Sequence, residues 1–109
     1  MASNREYLDY ILDQLSGLEG ISFRAMMGEY ILYEQGRIIG GIYDDRLLVK
    51  PVAAARELLP DAAEEEPYPG AKPMLRVDET DDRELLMKLF SAMLPQLSPT
   101  GKKRSGQRK

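Results

Sequence analysis

From Tyr7 onward, apolar positions recur at spacings of three and four: Tyr7, Leu8, Ile11, Leu12, Leu15 and Leu18 share one face of a helix. Ahead of them, Ser3-Asn4-Arg5-Glu6 has capping-box spacing, in which the serine oxygen accepts from a free backbone N–H and the glutamate reaches back to the cap. The pattern predicts a first helix that starts at Ser3 and ends at Gly17 or Gly20. Between Ile21 and Lys50 the period changes to short runs of Ile, Tyr, Phe and Val, broken at Gly28, Gln35-Gly36 and Asp44-Asp45. These predict strands near 21–26, 29–34, 37–43 and 46–50, with a tight hairpin at Gln35-Gly36. Connections this short exclude parallel crossovers, so the strands form an antiparallel meander. Gly40-Gly41 inside the third strand marks a bulge or a close crossing by another element, and the bulge is the favoured reading.

Val52 to Leu59 is Ala-rich and bounded by Pro51 and Pro60, which predicts a short second helix. Residues 61–73 combine the acidic run Glu64-Glu65-Glu66, read as a solvated stretch, with Pro67-Tyr68-Pro69-Gly70-Ala71-Lys72-Pro73, whose prolines favour an extended loop. Met74 to Asp78 suits a fifth strand with Leu75 and Val77 on one face. A last helix starts at Asp81 with Glu84 three residues on, and buries Leu85, Leu86, Leu89, Phe90, Met93 and Leu94 before Pro95. The expected fold is α+β: a four- to five-stranded antiparallel meander, N- and C-terminal helices packed on one face, and a short helix after the fourth strand. One domain is expected over 1–97, followed by a disordered basic tail over 98–109 with no large apolar residue.

Charge changes this picture at the C-terminus. The 109 residues carry 15 Lys and Arg against 18 Asp and Glu, a net charge of −3. Lys102, Lys103, Arg104, Arg108 and Lys109 sit in the tail, which has no acid, so the folded part is strongly acidic. An acidic body disfavours broad contact with a phosphate backbone, and nucleic-acid association is expected through the tail alone, weak and salt-sensitive. No apolar run is long enough for a membrane helix and the N-terminus is unlike a signal peptide, which together with the absence of cysteine suits the cytoplasm.

The chain has no His, Cys or Trp, which removes histidine-activated nucleophiles, thiol chemistry and His- or thiolate-ligated metals. Asp78, Glu79, Asp81 and Asp82 lack the spacing of a calcium loop and are better explained as helix-capping acids; no metal and no cofactor is expected. Glu29 and Lys50 could pair as general base and electrophile only if the sheet joined them, and surface ion pairing is the favoured alternative. Tyr30, Tyr33 and Tyr43 suit cross-strand packing better than a base-stacking platform, which would need basic surroundings.

Phe23 to Tyr30, Leu32-Tyr33, Gly36, the run Ile42 to Pro51 and the loop Pro67 to Pro73 together resemble the TfoX N-terminal domain family over about residues 3–95. That family is known for bacterial regulators of natural competence in which a helical domain follows; the few residues after the last helix leave no room for one here, so the chain resembles the stand-alone members. The resemblance implies regulation by binding and brings no catalytic set. Among the positions that match, Met26, Glu29, Tyr30, Asp44, Lys50, Tyr68 and Lys72 are the candidate recognition patch, provided the proline loop folds back over the sheet. The alternative is that Tyr68 only pins its own loop to the core. A protein partner is expected, and a homodimer through an uncovered sheet edge is compatible with the pattern.

Overall fold

The computed structural model describes residues 3–98. Helix α1 (Arg5–Gln14) leads into strands β1 (Ile21–Met26), β2 (Glu29–Glu34), β3 (Arg37–Tyr43) and β4 (Arg46–Val49), then α2 (Ala53–Leu58), β5 (Glu64–Glu65), β6 (Met74–Val77) and α3 (Arg83–Met93), which tightens into a 3₁₀ turn over Leu94–Gln96. The six strands form one sheet in the order β1-β2-β3-β4-β6-β5, with every neighbouring pair antiparallel. The α+β meander is therefore as expected, with one strand more than the sequence pattern indicates.

That extra strand corrects the reading of Glu64-Glu65-Glu66 as a loop, while Glu64 and Glu66 remain exposed. Glu64 and Glu65 pair with Leu75 and Met74 at the sheet edge. Their charge is absorbed by arginines: Glu65 bridges Arg46 and Arg76, and Glu64 bonds Arg56 at 3.1 Å. A like-charge run stays in water only when no cations face it, and here three do.

Both long helices begin one residue later than the capping-box spacing indicates. Asn4, not Ser3, caps α1, its side chain accepting from Glu6 N at 2.7 Å; Asp82, not Asp81, caps α3, accepting from Leu85 N at 3.0 Å. At the first helix the reason is that Ser3 is tied elsewhere, its backbone N–H donating to Gly28 O at 2.9 Å. Helix α2 has no cap of its own, and the N–H of Ala54 donates instead to Gln96 Oε1 at 2.8 Å, across to the 3₁₀ turn after α3.

The core lies between the helices and one sheet face. Leu8 and Ile11 of α1, Leu15 just after it, and Leu86, Leu89, Phe90 and Met93 of α3 pack with Leu32, Ile42, Leu47, Val49, Leu75 and Val77 of the sheet, all at most 3% exposed. Burial of such side chains contributes roughly 1.5–3 kcal/mol each. Because side chains alternate along a strand, this arrangement sends Ile31, Tyr33, Tyr43 and Leu48 to the face that carries no helix. Leu48 is nonetheless fully buried, and Pro67 is buried as well, which places the proline loop over part of that second face.

The glycine pair answers to both readings. Leu32 pairs with Gly40 but Tyr33 with Ile38, so Ile39 is an extra residue and β3 is bulged there. The bulge sets two consecutive isoleucines on different duties, Ile39 in the helix-side core and Ile38 on the other face. At Gly40 the neighbouring strand also approaches closely: an added Cβ would lie 2.1 Å from Leu48 O and 2.8 Å from Val49 Cα.

Glu34 is the anomaly of the core. It is 3% exposed, and its Oε1 is buried without a hydrogen-bond partner among the described residues. Burial raises its carboxyl pKa from the ordinary 4.5. The unfolded chain then ionises first as pH rises through 4.5, so the folded state holds more protons and stability falls until the raised value is passed. Glu34→Met, similar in length and free of charge, is expected to raise Tm at pH 7 by about 4–8 °C, equivalent to about 1 kcal/mol. The gain should shrink below pH 4.5, as calorimetry across pH would report.

Candidate functional site

The helix-free face and the loop after β5 enclose a groove of about 560 Å³. Its floor is Ile31 of β2, Ile38 and Tyr43 of β3 and Met74 of β6, with Met26 of β1 at one side. Lys50, Pro51 and Val52 make one wall, and Pro67, Tyr68, Ala71, Lys72 and Pro73 make the other.

Local sequence explains each wall. After β4, Val52 N donates to Lys50 O at 2.9 Å, a three-residue turn centred on Pro51 that swings the chain away from the sheet towards α2. In the loop, Ala71 N donates to Tyr68 O at 3.1 Å around Pro69-Gly70, with Gly70 at φ 89°, the geometry of a type II turn. Pro67 is buried while Tyr68 is 57% exposed, so Pro67, not the tyrosine, anchors the loop. This corrects the alternative in which Tyr68 pins its own loop.

Tyr43 lies over the floor. It is 8% exposed, and an added Cβ on Gly41 would come within 2.6 Å of its Cε2, so the missing side chain at Gly41 is what lets the ring lie down on the sheet. Burial raises its phenol pKa, and Tyr68, Glu29 and Tyr33 nearby act in the same direction. Tyr33 and Tyr43 thus share this face, whereas Tyr30 lies on the helix side, edge-on to Phe23 with ring centroids 6.0 Å apart. The three strand tyrosines form no common platform.

Of the residues proposed from sequence, the groove brings together Met26, Lys50, Tyr68 and Lys72. Tyr30 packs against the core on the opposite face. Glu29 and Asp44 belong to a clasp at the sheet end that binds the N-terminus: Glu29 Oε1 accepts from Ser3 Oγ at 2.5 Å, both its oxygens accept from Asp44 N at 3.2 Å, and Ser3 Oγ accepts from Asp45 N at 3.1 Å. Asn4 N completes it by donating to Asp45 Oδ1 at 2.7 Å. Glu29 opens β2 at that end, while Lys50 follows the last residue of β4 at the other, so the two are not joined as base and electrophile. Asp78 is paired with Arg76 at 2.8 Å, and Asp82 is the helix cap. The tail residues Lys102, Lys103, Arg104, Arg108 and Lys109 lie outside the described residues.

Sequence reasoning missed the groove floor and the tip beside it. Ile31, Ile38 and Tyr43 could have been found from strand alternation once Leu32 and Ile42 were placed in the core, except that the bulge at Ile39 resets the count. At the tip, the β1–β2 turn is Met27-Gly28 with both residues at positive φ, 53° and 87°. Met27 is 95% exposed there, a large apolar side chain held in a backbone region that costs an L-residue roughly 1–2 kcal/mol.

The proline loop, the β1–β2 hairpin with its tip and the run from Ile42 to Pro51 are segments on which the family likeness rests, and a family model for the TfoX N-terminal domain matches residues 13–83. The chain belongs to the TfoX N-terminal domain family. A relative from Spirochaeta aurantia, described as an uncharacterized 12.7 kDa protein in the trpE 5′ region, is 31% identical over 103 residues, covering 91% of this chain and 90% of its own length. No solved structure matches the chain. Within this TfoX N-terminal domain the family match runs from the end of α1 to the start of α3 and so includes every wall of the groove. Among the described residues no helix is long and apolar enough to cross a membrane.

Proposed function

We propose that this TfoX N-terminal domain is a non-enzymatic regulatory or adaptor module of the bacterial cytoplasm that captures a protein partner along β1 and the adjoining tip. The observation that carries this reading is the condition of β1. It is an edge strand of six residues, paired only with β2, and Ser22 to Met26 are all exposed. An uncovered edge of this length presents a row of free backbone donors and acceptors, the template on which a partner adds a strand. Phe23, Met26 and Met27 supply exposed apolar anchors beside it, and Tyr68 stands on the same side as Met26. Exposed methionine is adaptable in packing and suits a recognition surface.

The regulatory setting comes from the family. Nucleic-acid binding would instead fall to the tail, because the described residues carry ten basic against 18 acidic side chains.

The test is capture of partners from lysate by the full chain and by two variants. Met27→Asp removes the anchor while keeping a residue that tolerates positive φ, and Tyr68→Ala removes an exposed ring. Both are expected to lose the captured partner while Tm stays within a few degrees. An unchanged partner profile in both variants overturns the reading.

A further inference from the structure

The groove has a composition unlike the rest of the molecule. In an acidic body, its lining contains two lysines and no Asp or Glu. Arg46, Arg56 and Arg76 are each committed to carboxylates, whereas the side chains of Lys50 and Lys72 have no ion-pair partner among the described residues. Everything else that lines the groove is apolar, aromatic or glycine, and the volume of about 560 Å³ falls in the range of small-molecule sites. Pro51, Pro67 and Pro73 stiffen both walls, so little ordering entropy remains to be spent on closing them around a guest.

The floor also says what the guest is not. Strands β2, β3 and β4 are interior strands, each paired on both sides, so their backbone groups are already used. An extended peptide laid on this face would find no ladder to join; that opportunity exists at the sheet edges, β1 and the two-residue β5. What the floor offers is apolar contact, with cationic charge at the walls.

We propose that the groove binds a monomeric amphipathic carboxylate: an apolar chain lying on Ile31, Ile38, Tyr43 and Met74, with its anionic end drawn to the ammonium groups of Lys50 and Lys72. The groove adjoins the edge surface assigned above to a protein partner and shares Met26 and Tyr68 with it, but Met27 lies outside the groove lining and Lys50 and Lys72 lie outside the edge surface, so variants at those positions test the two assignments independently.

Titration calorimetry of the full chain with decanoate, decanol and decyltrimethylammonium, all below their micelle-forming concentrations, tests the assignment. Decanoate is expected to bind about tenfold more tightly than decanol, the advantage of two partly exposed charge contacts, and the cationic analogue more weakly than either. In a Lys50→Gln/Lys72→Gln double variant, decanoate should fall to the affinity of decanol while decanol is unchanged. Absence of decanoate binding, equal affinity for decanoate and decanol, or a preference that survives in the double variant overturns the proposal. Loss of partner capture in Met27→Asp would leave this readout unmoved.

Discussion

Gly40→Ala is expected to lower the melting temperature by about 15 °C, from a loss of about 3 kcal/mol. The added methyl would stand 2.1 Å from Leu48 O, 3.0 Å from Leu48 C and 2.8 Å from Val49 Cα. All three are backbone atoms of β4, so no side chain can swing away, and the strand itself must move. Strand β4 is central, paired with β3 on one side and β6 on the other, and it carries Leu47 and Val49 into the helix-side core. Moving it therefore disturbs two ladders and the packing of the core together. A contrast is available at Gly36, where no atom of the described residues lies within 4 Å of the added Cβ: Gly36→Ala meets its positive φ of 81° and should cost about 1 kcal/mol. Thermal unfolding of the two variants side by side measures the difference. A Gly40→Ala protein as stable as Gly36→Ala would mean that β3 and β4 do not run this close at the bulge.

Removing the clasp comes second in size. Glu29→Ala deletes the acceptor for Ser3 Oγ and Asp44 N and leaves Ser3, itself 8% exposed, with its hydroxyl directed only at Ile42 O, 3.3 Å away. Hydrogen bonds to a charged group contribute roughly 1.5–3 kcal/mol, so a loss of about 2 kcal/mol and a Tm lower by about 10 °C are expected. Glu29→Gln keeps one carbonyl oxygen for Ser3 and should cost about half as much. Glu29 is not among the residues that line the groove, although it stands beside Tyr43 and opposite Met26, so decanoate affinity at a temperature where both variants are folded is expected to stay close to that of the parent. A Glu29→Ala variant that melts like the parent would show that the sheet end holds together without this carboxylate.

The four strands of the meander and all three helices were legible because each is short-range: alternation marks a strand, three-four spacing a helix, and glycine or proline the boundary. Even the face of Leu75 and Val77 follows from alternation alone. What local pattern does not encode is where a polar group finds its partner. Ser3 satisfies the local rule for a helix cap, yet it is used by the tips of two hairpins about 25 and 40 residues away. Glu64 and Glu65 satisfy the local rule for a solvated run and are drawn onto the sheet by Arg46, Arg56 and Arg76. The recognition patch divided for the same reason. Position along the chain placed Glu29, Tyr30, Asp44 and Lys50 all near strand ends, but strand ends belong to two ends of a sheet and two faces, and of the patch only Met26, Lys50, Tyr68 and Lys72 line the groove under the loop. The bulge at Ile39 moved Ile38 to the groove side, a shift of register that no periodicity announces.

The path of the chain around the sheet has a kinetic side. Strands β1 to β4 are joined by two-residue turns, three hairpins that need little chain to close. The pairing of Val49 with Leu75 spans 25 intervening residues, which include α2, β5 and the whole proline loop. Loop-closure entropy falls on that one step, so β6, with the two-residue β5 at its outer side, is expected to join a meander that is already a sheet and to leave together with β5 when the domain opens locally. Groove and edge therefore differ in when they exist. Strand β1 is presented as soon as the hairpins have formed, whereas the groove comes into being only with the last pairing to close, and anything that occupies it holds that pairing shut.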